Sequence, residues 1–101
     1  MATYVLLCNF TDQGIRAVKD SPKRRAAARE LGKKFGVELK TGYLAMGTCD
    51  LILTVEAATD EAVAKWVLSL ASRGNVRTTT IKVFPEADMD QILAEIGRAH
   101  V

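Results

Sequence analysis

Histidine is nearly missing from this chain: His100, the penultimate residue, is its one imidazole. A histidine-ligated metal site or a nucleophile–histidine pair therefore has no donor in the body of the sequence, and neither a metal nor a cofactor is expected. Cysteine is scarce too. Cys8 and Cys49 have neither the CxxC spacing of a redox or zinc site nor the density of a secreted disulfide scaffold, so both are expected as reduced thiols. Charge of one sign is not in excess. Fourteen Lys and Arg against twelve Asp and Glu leave +2, short of the basic bias of a dedicated nucleic-acid binder, and no nucleic-acid partner is expected. No apolar stretch approaches the ~20 residues that cross a bilayer, which argues against a membrane partner. The first strand-like run begins at Tyr4 with no basic leader before it, and the expected location is the cytoplasm.

What is present is 101 residues, 49% of them hydrophobic, enough for one domain over residues 1–101 with a modest core. The run Tyr4-Val5-Leu6-Leu7-Cys8-Asn9-Phe10 reads as a strand that stops at Thr11-Asp12-Gln13-Gly14. Ser21-Pro22 supplies a cap and first-turn proline for a helix over residues 22–35, with Ala27, Ala28, Leu31 and Phe35 on its apolar arc and Gly36 as its stop. Lys23, Arg25, Arg29, Lys33 and Lys34 fall on the opposite arc, which reads as a solvated face. Strands over residues 38–46 and 49–57 are joined by Gly47-Thr48, where glycine first in a two-residue loop predicts a type II′ hairpin. Thr59-Asp60-Glu61 caps a second helix with the stripe Val63, Trp66, Val67 and Leu70, closed by Gly74-Asn75. A fourth strand over residues 76–84 and a last helix carrying Met89, Ile92, Leu93 and Ile96 on one face complete the chain.

The order β-α-β-β-α-β plus a C-terminal helix is the ferredoxin-like pattern, an α+β fold with helices on one face of an antiparallel sheet. Strand alternation assigns Tyr4, Leu6, Cys8, Leu44, Met46, Leu51, Leu53, Val55, Ile81 and Val83 to the covered face. The open face receives Val5, Leu7, Asn9, Tyr43, Ala45, Asp50, Ile52, Thr54, Thr78 and Thr80. Its centre is too apolar for exposure, so a second copy of the chain is the expected partner, making a homodimer or larger homo-oligomer with a space between two facing sheets. Asn9, Tyr43, Asp50 and Thr78 converge at one end of that face, and Arg24 reaches toward Asp12, Asp50 or a bound anion, or covers apolar surface with its stem. A few polar groups around an apolar space is the composition of a small-molecule site. The competing reading of the same residues is local: Asp after a turn and Thr on a strand serve turn geometry and β propensity.

The block Thr3-Tyr4-Val5-Leu6-Leu7 with Asn9-Phe10-Thr11-Asp12-Gln13-Gly14-Ile15-Arg16, the segment Val18-Lys19-Asp20-Ser21-Pro22-Lys23-Arg24, and Gly74-Asn75-Val76-Arg77-Thr78 resemble the GYD domain family. The resemblance runs over residues 2–96 and implies a small bacterial or archaeal protein of the dimeric α/β-barrel type with no established biochemical activity. The family's glycine, variable residue, tyrosine, aspartate pattern maps to Gly47, Thr48, Cys49 and Asp50, with Cys49 in place of the tyrosine. The leading functional expectation is a homo-oligomer that binds a small organic molecule between its sheets. Fold analogy adds a cofactor-independent oxygenase or isomerase, and a ligand-free structural or regulatory assembly module is the third reading.

Overall fold

The computed structural model describes residues 1–99. His100 lies outside the described residues. The chain forms β1 (Ala2–Phe10), α1 (Asp12–Arg16), a 3-10 turn (Val18–Asp20), α2 (Ser21–Phe35), β2 (Val37–Leu44), β3 (Leu51–Ala57), α3 (Asp60–Ser72), β4 (Val76–Val83) and α4 (Glu86–Ala99). The strands make one antiparallel sheet in the order β2-β3-β1-β4, the ferredoxin-like order expected, with α2 and α3 on one face.

Local chemistry accounts for the element ends. Pro22 lies in the first turn of α2, and Gly36 closes that helix at φ 78°, a left-handed conformation that glycine adopts without cost. The Thr59 hydroxyl caps α3 by accepting from Ala62 N–H at 3.2 Å. The core is Tyr4, Leu6 and Cys8 of β1, Val37 and Leu39 of β2, Val55 and Ala57 of β3, Ala28 of α2, and Val63 and Trp66 of α3. Trp66 is fully buried, and its indole N–H donates to the Ala28 carbonyl at 2.9 Å, tying the two helices together. Gly32 makes room for this contact: a Cβ there would stand 2.7 Å from the Val37 carbonyl oxygen and 3.4 Å from the Trp66 ring nitrogen. Ala27, expected on this arc, is exposed; Gly32 takes the inward position.

Several expectations are corrected. The 47–48 hairpin is absent: β2 ends at Leu44, β3 starts at Leu51, Ala45 N–H donates to Asp50 O at 2.8 Å, and Gly47 has no positive φ. The loop is wider because Cys49 turns inward to a buried position while Asp50 binds β1 through both its backbone and its side chain. Met46, assigned to the covered face, is 99% exposed. On β4 the alternation is inverted. Thr78 pairs with Cys8 and Thr80 with Leu6, which sets them on the helix face, whereas Ile81 pairs with Val5 and Val83 with Thr3 on the open face. An edge strand tolerates this polarity because the helices cover it only partly, and Lys82 uses its position there to reach Asp60 at 3.0 Å.

The open face is consequently more apolar than the sequence suggests: Val5 and Leu7 of β1, Ile52 of β3, and Ile81 and Val83 of β4 share it. The stripe of α4 is also uncovered, with Met89, Ile92, Leu93 and Ile96 between 43% and 53% exposed. The radius of gyration, 15.9 Å against about 13 Å for a compact chain of this length, is that of a molecule whose last helix stands off its core.

Candidate functional site

The end of β1 is held by a dense lock. Thr11 N–H donates to Asn75 O at 3.1 Å, and the Thr11 hydroxyl donates to Gly74 O at 2.5 Å while accepting from Gly14 N–H at 3.0 Å. The Gln13 amide donates to Arg73 O at 3.0 Å and to Asn75 Oδ1 at 2.9 Å. Gly14 is obligatory for this approach, since a Cβ there would fall 1.9 Å from Asn75 O. Thr11 with Asp12 is thus the N-terminus of a short helix rather than only a strand stop, a signal legible as a threonine cap followed by an acidic first turn.

Arg24 serves the same assembly. Its guanidinium donates to Ala17 O at 3.0 Å, Gly14 O at 3.1 Å and the Ser21 hydroxyl at 3.2 Å, binding carbonyls at the end of α1, of which Ala17 O also accepts from Asp20 N–H at 2.9 Å. Its donors go to neither Asp12 nor Asp50. Asp50 is half-buried, and its Oδ2 accepts from Phe10 N–H at 2.9 Å, while its own N–H donates to Cys8 O at 2.9 Å. Its carboxylate replaces a missing ladder partner at the end of β1.

Behind this lock, on the helix-covered side, lies a cleft of about 380 Å³, within the size range of small-molecule sites. Its floor is the sheet, through Cys8, Leu39, Leu51, Leu53 and Val76; α2 contributes Pro22, Arg24, Arg25 and Ala28, and α3 contributes Leu70. Tyr43 and Thr78 also line it, from the two edge strands, and Arg73 and Asn75 close one end. Two of the five residues singled out from the sequence, Arg24 and Thr78, therefore meet at one cavity; Tyr43 borders it but pairs with Ile52 in the row of Leu7, on the open face, while Asn9 is exposed and Asp50 is not in the lining. Thr78 corrects the open-face grouping: its backbone partner is Cys8, so it stands on the other face from Asn9. Arg25 and Arg73 were not singled out; Arg25 is on the arc read as solvated, and Arg73 comes to the cleft only through the turn that follows α3.

Three further groups are perturbed. Burial pushes the Cys8 thiol up to about 11, with Cys49 adding a smaller upward push, and both cysteines are free and buried. Tyr4 donates its hydroxyl proton to Asp60, which pushes the phenol up to about 12; that bond, followed by the one from Lys82, lowers the Asp60 carboxyl. Lys82 also stands 5.9 Å over the Tyr4 ring. This trio pins β1 and β4 to the start of α3 and lies outside the lining of the cleft. Among the described residues no cluster of three metal-ligating side chains occurs, and no helix is long and apolar enough to cross a membrane.

Comparison with known proteins matches the model of the GYD domain over residues 4–93. A Thermus thermophilus protein called glutamine synthetase and cystathionine beta-lyase binding protein is 37% identical over 90 residues, covering 88% of this chain and 95% of the relative. Among solved structures, the fold is shared with a feast or famine regulatory protein from M. tuberculosis complexed with L-methionine, at TM-score 0.62 and 17% identity. That match takes in 84% of this chain and 51% of the regulator, so the chain spans about half of the regulator's length. TTHA0845, also from Thermus thermophilus, matches at TM-score 0.55 and 22% identity, over 84% of this chain and 95% of its own.

Proposed function

This chain belongs to the GYD domain family, and we propose that it works as a cytoplasmic, self-associating module that binds a small organic molecule. One observation carries the proposal: the sheet has an apolar open face on one side and a largely apolar cleft under its helices on the other. The open face, with Val5, Leu7, Ile52 and Ile81, is the self-association surface, because burying apolar area yields roughly 25 cal/mol per Å² and a second copy offers the same patch. The ligand belongs in the cleft. A space between two facing sheets near Asn9 and Tyr43 is the other place for it, but there the Asp50 carboxylate is engaged by Phe10 and Thr78 faces away.

The test pairs two measurements on the full chain. In sedimentation at micromolar concentration the wild type is expected to self-associate, and Leu7→Lys with Ile52→Lys to give monomer. A monomeric wild type, or variants that associate equally well, would remove the open face from the proposal. In a thermal-shift screen of metabolites, stabilisation is expected to disappear with Thr78→Phe, which fills the cleft, and to persist with Asn9→Ala.

A second reading is favoured by the uncovered stripe of α4. The Thermus relative is named for binding two enzymes, and α4 offers this chain a comparable protein contact. If Ile92→Glu with Ile96→Glu leaves self-association unchanged, the helix is free for a different protein; if association is lost, α4 belongs to the seam between copies.

A further inference from the structure

The cleft has a charge as well as a shape. Arg24, Arg25 and Arg73 line it, and no Asp or Glu does. Arg24 spends its donors on Gly14, Ala17 and Ser21, but Arg25 and Arg73 form no ion pair and no side-chain hydrogen bond among the described residues. Both are exposed and stand beside a wall of leucines, with Asn75 and Thr78 as neutral polar neighbours. An arginine fork matches a carboxylate or phosphate in two parallel bonds, and the apolar floor has no group to pair with a second charge.

We infer that the cleft is a site for an amphiphilic anion: a small carboxylate with an aliphatic or aromatic body, its head held by Arg25 and Arg73 and its body laid over Leu39, Leu51 and Leu53. This rests on the reading of the chain as a small-molecule binder and adds the chemical class. Neutral sugars, cations and polyanions without an apolar part are excluded by the same lining. Thr78, paired with Cys8 on the helix-covered face, supplies a hydroxyl on the edge-strand wall.

Octanoate and its uncharged counterpart octanol, titrated calorimetrically into the full chain, test this directly. Octanoate is expected to bind at least about tenfold more tightly than octanol, the worth of a charge-assisted contact of about 1.4 kcal/mol or more. Arg25→Gln with Arg73→Gln is expected to bring octanoate down to the level of octanol, and Thr78→Phe to abolish both while circular dichroism shows the fold retained. Equal binding of the two probes, lost with Thr78→Phe, would overturn the anion class and leave the small-molecule reading standing. Binding of neither probe would overturn both. Octanoate binding that survives the double arginine variant would overturn the assignment of Arg25 and Arg73.

Discussion

Replacing Gly14 by alanine separates packing from backbone conformation. Gly14 is in α1 and has no positive φ, so conformation alone favours alanine by about 1 kcal/mol. Space opposes it: the new Cβ would fall 1.9 Å from Asn75 O and 2.8 Å from Asn75 C, both backbone atoms that cannot rotate away. Relief requires α1 to lift from the 73–75 turn, stretching the bonds at 3.1 Å from Thr11 N–H, 2.5 Å from the Thr11 hydroxyl and 3.0 Å from Gln13. At about 1 kcal/mol each, plus roughly 1–3 kcal/mol of overpacking and less the propensity gain, the expected loss is about 3–5 kcal/mol. At ~4 °C per kcal/mol for a chain of this size, Tm falls by about 12 °C or more. Two other glycines are the controls. Gly36 meets nothing within 4 Å but has φ 78°, so Gly36→Ala is expected to cost about 1–2 kcal/mol by strain alone. Gly47 has neither constraint and Gly47→Ala should stay within about 0.5 kcal/mol. Calorimetry at matched protein concentration reads the series, because the proposed self-association would make Tm depend on concentration. A Gly14→Ala variant that melts at or above wild type would refute the close approach of α1 to Asn75.

Arg24→Lys is expected to cost about 1.5–3 kcal/mol in chemical denaturation, since one ammonium cannot reproduce a fork that bridges the Gly14 and Ala17 carbonyls; an unchanged midpoint would return Arg24 to a covering role. Stability is expected to fall at alkaline pH. Cys8 and Tyr4 both hold their protons more tightly when folded, so their contributions are full below the ordinary values of 9.0 and 10.0 and are lost as pH rises toward about 11 and about 12. Asp60 works in the opposite sense: its lowered carboxyl contributes above the ordinary 3.8, and that part is lost as pH falls. Urea midpoints between about pH 8 and 11.5 should drop for wild type and flatten in Tyr4→Phe with Cys8→Ala; identical slopes would contradict both assignments.

Element order and core were legible because they follow from periodicity: β1 alternates Tyr4, Leu6, Cys8 inward, and α3 repeats Val63, Trp66, Val67, Leu70 at helical spacing. Parity on β4 was not. Its sequence Val76-Arg77-Thr78-Thr79-Thr80-Ile81-Lys82-Val83 has three threonines in a row, and its register is set from outside, by Asn75 docking on Thr11. One residue of register moves every side chain to the other face, and that moved Thr78 out of the open-face group and Ile81 into it. The 45–50 loop failed for a related reason. Gly47-Thr48 has hairpin chemistry, but Asp50 and Cys49 are claimed by β1 and the core before a two-residue turn can form. The cleft was invisible because it is made where the sheet and two helices leave space between them, and periodicity reports what is filled.

The lock and the cleft are one construction. Phe10, Asn75 and Val76 belong to the cleft wall, and each is fixed by a bond that points away from it: Phe10 N–H to Asp50, Asn75 O to Thr11 N–H, and Val76 through its pairing with Phe10. Arg24 ties α1 to the start of α2, whose Pro22, Arg25 and Ala28 form the facing wall. Asp50 is therefore expected to act on the proposed ligand without lining its site. Removing its carboxylate frees the Phe10 N–H and loosens the wall, so Asp50→Ala should weaken both probes by the same factor and leave their ratio intact. Loss of Arg25 and Arg73 is expected to change the ratio instead, because the proposed contact is with the head group alone. A ratio that shifts with Asp50→Ala would mean that its charge is felt in the cleft, and that Asp50 is a ligand contact rather than the brace its bond to Phe10 describes.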